Sequence, residues 1–328
     1  MNLTQKDFKL LTYLFHNGRE SISKIAKQTE LSREQVTYRL NKYIKQGLIK
    51  KFFPIINYSK LGYNSPFALL LKFDKSSLQK QFIKKINNSK YCISWGYIYG
   101  KYDLYMNIIF KNKDEFEKYL SQLLEKKEIL DYFILDPTFT ELYPLKFFNY
   151  KKPEYQFTQT SEKIKIDNTD LKILKALNQD FRMKLIDIAE KVEISPELTL
   201  HRLRKLQKEK IILGSRIQFN SEKLGYHFSM IILNIRNFSE TNKNKIKQFA
   251  RNSKHINTLN FSLTKPNCII QLFHKEESEL RQTIQKIKEL FADNIIDLEL
   301  MLITDETEKV NALPFLWINN FINYTFLN

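Results

Sequence analysis

Two short segments combine cationic, amide and hydroxyl side chains at helical spacing, which suits contact with a nucleic acid. The first segment contributes Arg33, Gln35, Thr37, Tyr38, Arg39, Asn41 and Lys42. The second contributes Leu200, His201, Arg202, Arg204 and Lys205. Arg, Gln and Asn can form paired hydrogen bonds with purine edges, and Lys or Arg can neutralise phosphates. The plain alternative is that both segments are only solvated helix faces.

Both segments lie in copies of one repeat. Residues 7–63 align with residues 170–226 without a gap, at a constant offset of 163 (170 − 7 = 226 − 63 = 163). Both copies end with the same four residues, Lys-Leu-Gly-Tyr, at 60–63 and 223–226. Solenoid repeats run about 20–50 residues, so this period indicates duplicated domains. Because a basic face recurs in both copies, contact with a polyanion is the stronger interpretation.

Helix signals frame each segment. In the first copy Ser32 is expected to cap helix three, Gln35 completes a capping box, and Gly47 ends the helix. In the second copy Ser195-Pro196 supplies a cap and a first-turn proline. A short helix, a tight turn and a longer capped helix form a helix-turn-helix, whose last helix can enter the major groove of DNA.

The apolar pattern predicts the buried face and the wing. Val36, Leu40 and Ile44 are expected to face the core from helix three. Residues 48–49 and 52–56 are expected to pair as a hairpin wing, and residues 212–219 as the wing of the second copy.

Net charge is concentrated in the repeated segments. The chain of 328 residues carries a formal charge of +17. Residues 1–63 hold 12 Lys or Arg against 4 Asp or Glu, and residues 163–226 hold 14 against 9, which gives +8 and +5. An AT-rich genome would raise the lysine content without regard to position. This placement therefore favours a polyanionic partner.

The sequence contains no catalytic or metal-binding pattern. Cys92 and Cys268 lie alone in apolar runs and are expected to be buried thiols in a reducing compartment. The five histidines are not spaced as a cluster. We therefore expect no catalytic residue, no metal and no cofactor. The N-terminus lacks the apolar core of a signal peptide and no apolar run is long enough to span a membrane, so we expect a soluble, cytoplasmic protein.

An α+β stretch follows each three-helix segment. In the first copy it has the order βαββαβ, which is the ferredoxin-like unit: a four-stranded antiparallel sheet with two helices on one face. The other face is left open and apolar, so we expect the two units to bury these faces on each other. The predicted fold class is α+β, with two winged helix-turn-helix domains alternating with two ferredoxin-like domains. The strands predicted in the first unit are 66–73, 91–99, 104–110 and 132–140.

Short motifs in the second copy, and one turn after the first, match a known pattern. The motifs are Asp167, Asp170 and Ile173-Leu174, Ile-Ala at 188–189, Ile-Ser at 194–195, Arg202-Leu203, Leu206 and the closing Leu-Gly-Tyr. The turn is Gly-Xaa-Tyr-Asp, formed by Gly100, Tyr102 and Asp103. With these motifs the sequence resembles the Lrp/AsnC family of bacterial and archaeal regulators. The resemblance implies DNA binding, sensor sheets that pair face to face, and a small effector such as an amino acid bound around Gly100, Tyr102 and Asp103.

The chain departs from that family in two ways. Family members usually carry one DNA-binding domain and one sensor domain and then dimerise, whereas both units share this chain. The second sensor has Thr-Lys-Pro-Asn at 264–267 in place of the Gly-Xaa-Tyr-Asp turn, which puts ligand binding there in doubt. We expect an internal pseudo-dimer that holds two different recognition helices roughly 34 Å apart on an asymmetric DNA site. We also expect homo-oligomers, through the sensor domains or the tail.

The predicted function is a sequence-specific regulator of transcription that binds double-stranded DNA. One alternative is an architectural DNA-binding protein with weak sequence preference. The other is a sirohaem-decarboxylase-like enzyme, because a subset of Lrp/AsnC-like proteins uses His and Arg of the sensor domain for that reaction. Residues 92–110 contain neither His nor Arg, so we expect a protein that is not an enzyme.

The predicted domains are a winged helix-turn-helix at 1–63, a sensor at 64–149, a linker at 150–163, a second winged helix-turn-helix at 164–226, a degenerate second sensor at 227–305 and a tail at 306–328 that forms an interface helix.

Overall fold

The computed structural model describes residues 3–125, 128–143, 155–157, 164–304 and 310–319. The helices are α1 Gln5–His16, α2 Ile22–Thr29, α3 Arg33–Lys45, α4 Ser76–Ile86, α5 Lys113–Leu124, α6 Asn168–Gln179, α7 Leu185–Val192, α8 Pro196–Lys208, α9 Glu240–Asn252 and α10 Glu277–Phe291. The strands are β1 Ile49–Ile56, β2 Ser65–Phe73, β3 Cys92–Tyr99, β4 Leu104–Phe110, β5 Ile129–Leu135, β6 Pro137–Leu142, β7 Tyr155–Phe157, β8 Ile212–Phe219, β9 His227–Ile235, β10 Ile256–Ser262, β11 Cys268–His274 and β12 Ile295–Thr304.

Side-chain caps begin α3 and α8 where the sequence predicts them. Ser32 and Gln35 form a capping box on α3. On α8 the Ser195 hydroxyl accepts a hydrogen bond from the Leu198 N–H at 3.2 Å, and Pro196 is the first helical residue. A cap satisfies N–H groups that have no partner within the helix and contributes about 1 kcal/mol. The start of each recognition helix is therefore determined by its local sequence.

The two three-helix units share one hydrophobic core. Leu14 of α1 and Leu177 of α6 are both fully buried in the same cluster. Strands β1 and β8 pair antiparallel and form a two-stranded ribbon between the units. The predicted hairpin wing is therefore wrong, because each copy contributes one continuous strand whose partner is the other copy. Strand β1 pairs with no strand of its own copy, and β8, the equivalent strand of the other copy, supplies its hydrogen-bonding partners.

The register of the ribbon relates the two copies by an approximate two-fold axis. Phe53 pairs with Arg216, and these two positions are equivalent in the repeat (216 − 53 = 163). An element that meets its own counterpart in this way is typical of a symmetric dimer interface. A single chain thus reproduces the arrangement that two chains form in a two-fold dimer.

Two arginines make reciprocal contacts across this axis. Arg19 and Arg182 are equivalent in the repeat (182 − 19 = 163). Arg19 Nη1 donates to the Phe181 carbonyl oxygen at 2.7 Å, and Arg182 Nη1 donates to the Gly18 carbonyl oxygen. Each guanidinium also lies over an aromatic ring, with 5.8 Å from Arg19 to Phe181 and 5.3 Å from Arg182 to Phe52. Spacing along the sequence does not indicate a role for either residue, because their partners lie in the other copy.

The two ferredoxin-like units join into one sheet of ten strands, in the order β5-β2-β4-β3-β12-β9-β11-β10-β6-β7. Residues 302–304 of β12 pair with β3, and β6 pairs with β10. The predicted βαββαβ order is present in both units, but the predicted strand 132–140 is divided into two strands: β5 pairs with β2 of its own unit, and β6 pairs with β10 of the other. Strand β12 pairs with β9 of its own unit, and only its end also reaches β3. This exchange covers edges of β3 and β10 that would otherwise expose unpaired backbone groups.

The inner faces of the two units meet in a core of their own. Leu70 and Tyr105 of the first unit lie in one buried cluster with Met230 and Ile269 of the second. Side chains alternate between the faces of a strand, so Leu69 and Leu71, on either side of Leu70, pack instead against the helices of their own unit. The apolar faces that the sequence leaves without a partner are therefore buried against each other.

The chain after β12 returns to the three-helix units. Leu313 is fully buried in their shared core, and the Phe315 ring stacks on Tyr63 at 3.9 Å. The described part of the predicted interface helix is a 3-10 helix, Pro314–Asn319, and the rest of that prediction lies outside the described residues, as does most of the predicted linker. Within the described ranges, no helix combines the length and the apolar composition that crossing a membrane requires.

Candidate nucleic-acid interface

Helix α3 turns one face to the core and the opposite face outward. Val36 and Leu40 are buried, as predicted. Ile44 is 48% exposed whereas Tyr43 is 1% exposed, so the prediction for Ile44 is wrong. Residues 40, 43 and 44 are all compatible with one helix face, and periodicity alone does not separate the last two.

The predicted DNA-contacting residues of α3 face solvent, with one exception. The exposed residues are Arg33, Gln35, Thr37, Tyr38, Asn41 and Lys42, and Arg39 is half-buried. In α8 the exposed residues are Leu200, His201 and Arg204, and Arg202 and Lys205 are half-buried. The structure therefore brings most of the predicted set onto two outward helix faces.

Equivalent positions on these two faces carry different chemistry. Tyr38 corresponds to His201 (201 − 38 = 163), and Asn41 corresponds to Arg204 (204 − 41 = 163). The pair Lys42 and Lys205 keeps its charge, although Lys205 Nζ also lies 3.8 Å from a carboxylate oxygen of Asp170. The two faces thus share cationic positions, which include Lys45 and Lys208 (208 − 45 = 163), and differ in their hydrogen-bonding groups.

Arg39 points back into its own unit. Its Nε lies 3.0 Å from Oδ1 of Asp7, and the Tyr43 hydroxyl donates to the same oxygen. Burial acts to raise the pKa of Asp7, but hydrogen bonds from Tyr43, Thr4 and Arg39 outweigh it and hold that pKa below its usual value. The ionised carboxylate therefore ties α1 to α3.

The second copy repeats this ion pair. Arg202 Nη1 lies 3.3 Å from Oδ1 of the fully buried Asp170 and also donates to Asp167. The hydrogen bond to Asp167 raises the pKa of Arg202 above its usual value. The phosphate contacts of Arg39 and Arg202 stay predictions. Both arginines have carboxylate partners that spacing along the chain did not indicate.

The turn predicted to bind an effector connects β3 and β4. Gly100 has a φ of +154°, and Tyr102 is buried in the cluster between the two ferredoxin-like units. Oδ2 of Asp103 accepts a hydrogen bond from the Phe73 N–H at 2.8 Å, at the end of β2. The three residues are close together, and effector binding by them stays a prediction.

Asn267 takes the place of Asp103 in the second unit. Its Oδ1 accepts from the Ile235 N–H at 3.0 Å, and its Nδ2 donates to the Ile235 carbonyl oxygen at 2.8 Å. Ile235 ends β9 as Phe73 ends β2. The amide thus makes the contact with the strand end that the carboxylate makes in the first unit, so this contact does not depend on the charge.

Two histidines are neighbours, contrary to the expectation from their spacing. His227 and His274 face each other across β9 and β11, with ring centroids 5.7 Å apart. His274 Nε2 lies 2.9 Å from the Ser229 hydroxyl. Burial, and then the nearby His227, lower the pKa of His274. Among the residues that the structure describes, no group of three or more His, Cys, Asp or Glu is arranged to hold a metal.

Comparisons with known proteins agree with this geometry. The winged helix-turn-helix DNA-binding family matches residues 3–50 and 166–212. An uncharacterised HTH-type transcriptional regulator of Pyrococcus horikoshii is 25% identical over 126 residues, which are 38% of this chain and 79% of that protein. The leucine-responsive regulatory protein of Rhizobium meliloti is 34% identical over 89 residues, which are 27% of this chain and 55% of that protein. The predicted α+β fold class with two winged helix-turn-helix domains is confirmed.

A solved structure resembles the chain over nearly its whole length. The siroheme decarboxylase NirDL matches with a TM-score of 0.64 and 15% identity, over 94% of this chain and 95% of that one. At this level of identity the likeness concerns the fold alone. It extends the match from the DNA-binding units to the complete arrangement of four domains.

Proposed function

We propose that this chain, a tandem Lrp/AsnC-type protein with two winged helix-turn-helix domains, binds double-stranded DNA as an internal pseudo-dimer and regulates transcription. The Pyrococcus relative is named as a transcriptional regulator and the Rhizobium relative as a regulatory protein, which supports the broad assignment. The finer proposal is that one chain reads one asymmetric site with two non-identical helices.

The paired ribbon is the observation that carries this proposal. Phe53 meets its repeat equivalent Arg216 at the centre of β1 and β8, so α3 and α8 are related by an approximate two-fold axis. Two recognition helices related in this way can enter successive major grooves on one side of a duplex, roughly 34 Å apart. The shared core holds both helices in this relation without a second chain.

The two helix faces are proposed to divide recognition between different bases. Asn41 of α3 can form paired hydrogen bonds with adenine, while Arg204 of α8 can do so with guanine. Arg33 and Lys42 are exposed cations suited to phosphate contact. Because the equivalent positions differ between copies, the proposed site has two dissimilar halves.

Binding-site selection from random duplexes, followed by fluorescence anisotropy, tests this proposal. We expect two dissimilar half-sites about one helical turn apart. With on the order of 6–10 phosphate contacts, affinity should fall about 10³–10⁵-fold between 50 and 200 mM salt. Recovery of a perfect inverted repeat would contradict the asymmetric reading. Equal affinity for selected and random duplexes would favour the architectural alternative.

Single substitutions assign the half-sites. Asn41→Ala should relax the sequence preference in one half only, and Arg204→Ala in the other half only. Each lost base contact should weaken binding by about 1–3 kcal/mol. Lys80→Ala is the matched control, because Lys80 is an exposed cation on α4, away from the ribbon. Loss of preference in both halves from either substitution would be evidence against separate reading by the two copies.

A spectroscopic titration with sirohaem tests the enzymatic alternative, which the fold likeness alone brings forward. The proposal expects no change in the sirohaem absorbance on addition of the chain. A saturable change at one equivalent, followed by loss of carboxyl groups as CO₂, would replace the DNA-binding regulator with an enzyme.

Modulation by a small effector and assembly into homo-oligomers are further parts of the proposal. The Gly100, Tyr102 and Asp103 turn is the proposed effector contact, by resemblance to the family. Light scattering on the purified chain, with and without amino acids, measures assembly directly. A single-chain mass under both conditions would remove the assembly into homo-oligomers while leaving DNA binding intact.

A further inference from the structure

The outward faces of α3 and α8 differ along one row of side chains. On α3 the row contains Thr37 and Asn41, and on α8 it contains their repeat equivalents, Leu200 and Arg204 (200 − 37 = 204 − 41 = 163). Residues four positions apart are neighbours on the same side of a helix. All four residues are exposed. A hydroxyl and an amide in the first copy are therefore replaced by an aliphatic group and a cation in the second.

Leu200 lies off the buried side of α8. That side is formed by Thr199, Leu203 and Leu206. Leu200 is turned from Thr199 by about 100°, since a helix has 3.6 residues per turn, and it is 37% exposed. A single exposed leucine is common on protein surfaces and indicates no function by itself. The position of this leucine in one row with Arg204, on the last helix of a helix-turn-helix, is the second observation that links it to DNA.

The row on α8 continues with a second cation. Lys208 lies four residues beyond Arg204 and is also exposed. A lysine can neutralise a phosphate, and an arginine can pair with a guanine edge. Leu200 lies one turn closer to the start of α8, and the N-terminal residues of a recognition helix are those that contact base edges. The two cations thus favour a duplex position in which Leu200 meets the major groove.

A leucine side chain has no hydrogen-bonding group, which restricts the base edges that it can contact favourably. Against a base nitrogen or oxygen it would displace water without replacing the hydrogen bond. The 5-methyl group of thymine is the apolar group that a base pair presents in the major groove. Contact with Leu200 therefore favours thymine over the other three bases.

We propose, on the basis of the proposed DNA-binding function, that α8 selects a thymine through Leu200, within about two base pairs of the guanine that Arg204 contacts. Four residues rise about 6 Å along a helix, and successive base pairs are about 3.4 Å apart. The thymine methyl group packs on the exposed aliphatic end of Leu200. The equivalent position of the first half-site carries no such requirement, because the Thr37 hydroxyl can hydrogen-bond to donors and acceptors alike.

Uracil in place of thymine tests this proposal without any change to the protein, since the two bases differ only in the 5-methyl group. The duplex is the one recovered by binding-site selection, and Arg204→Ala identifies its guanine. Fluorescence anisotropy measures the affinity of the full chain for this duplex and for one with uracil at every thymine of the second half. We expect about fourfold weaker binding of the uracil duplex, which corresponds to about 0.8 kcal/mol for one methyl group at 1.4 kcal/mol per tenfold. Equal affinities overturn the proposal, as does a second half-site with no thymine on either strand within two base pairs of the guanine.

Substitution of Leu200 assigns the methyl contact to this residue. In Leu200→Ala the ratio of the affinities for the thymine and uracil duplexes should fall from about fourfold to about one, and the ratio cancels any effect of uracil on the duplex itself. Leu198→Ala is the matched control and should keep the fourfold ratio. Leu198 is a similarly exposed leucine of α8, at 40%, but it shares its row with Arg202, which contacts Asp170 of α6.

The outcomes separate this contact from DNA binding as such. A ratio that persists in Leu200→Ala, or is lost in Leu198→Ala, assigns the methyl group to another residue and overturns the proposal. Unchanged affinity of Leu200→Ala for both duplexes overturns it too, and would assign the exposed leucine to a protein partner. In each of these cases tighter binding of the selected duplex than of random duplexes leaves the proposed function standing. A chain with no affinity for any duplex would lose both.

Discussion

Substitution of Arg202 by methionine distinguishes an internal role for this arginine from a contact with DNA. The side chain of Arg202 is 23% exposed. It contacts the carboxylate of Asp170, whose side chain is 0% exposed. Methionine keeps most of the aliphatic packing of arginine and removes the charge. Breaking a fully buried ion pair costs about 3–5 kcal/mol. Partial exposure of Arg202, and Lys205 at 3.8 Å from Asp170, reduce the expected loss to about 2 kcal/mol.

Native-state hydrogen exchange is the suitable assay, because it reports the opening free energy of α6 and α8 separately from the rest of the chain. DNA affinity is measured in parallel on the same preparation. Arg204→Met is the matched control: it makes the same change two residues further along α8, at an exposed position. We expect Arg202→Met to lower the opening free energy and Arg204→Met to leave it within about 0.5 kcal/mol.

The effects of the two variants on DNA affinity should be the reverse of their effects on exchange protection. Arg204→Met should weaken binding without changing protection, whereas Arg202→Met should weaken binding only as far as the recognition helix is loosened. The reasoning is refuted if Arg202→Met leaves exchange protection unchanged and lowers affinity for all sequences alike. That result would make Arg202 a phosphate contact, with Asp170 dispensable to the fold.

Three further predictions follow from the contacts between the copies and within the turns. The pKa of Asp7 is depressed in the folded protein, so its stabilising contribution is present above about pH 4 and is lost as the pH falls through the folded-state pKa. We therefore expect the acid denaturation of Asp7→Asn, followed by circular dichroism, to be less steep than that of the unsubstituted chain. Arg19→Met and Arg182→Met should each lower the free energy of unfolding, measured by urea titration, by about 1–3 kcal/mol, because each removes the donor to a backbone carbonyl oxygen. An effect of only one of the two substitutions would contradict the reciprocal arrangement. Asp103→Asn should preserve stability, because Asn267 makes the equivalent contact, while Asp103→Ala should cost about 1–2 kcal/mol in the same titration.

Local signals in the sequence predicted the elements well, because they act over a few residues. The caps at Ser32 and Ser195 begin α3 and α8 where the pattern places them. Strands and helices of both ferredoxin-like units follow the apolar periodicity. Periodicity failed at Ile44, because helical spacing from Leu40 admits either Tyr43 or Ile44, and the choice depends on the hydrogen bond from Tyr43 to Asp7.

Pairing between distant segments could not be predicted in the same way. A strand pattern at 49–56 indicates an extended chain, but its partner is 163 residues away in the repeat and could equally have been a hairpin neighbour. The carboxylate partners of Arg39 and Arg202 lie on another helix, so an outward position looked equally consistent with the spacing. The offset of 163 determines the register only once β1 and β8 are known to pair about a two-fold axis, since equivalent residues then meet at it.

Fusion of the two copies gives this chain a freedom that a dimer of identical chains lacks. In such a dimer every substitution appears on both sides of the axis, so the two recognition helices must carry the same groups. Here His201 and Tyr38 present different groups from equivalent helix positions. Contacts that maintain the axis remain paired, as the reciprocal hydrogen bonds of Arg19 and Arg182 demonstrate, whereas the outward faces of α3 and α8 have diverged. The differences therefore lie on the surfaces proposed to bind DNA, which is the distribution expected if each copy has its own half of the DNA site.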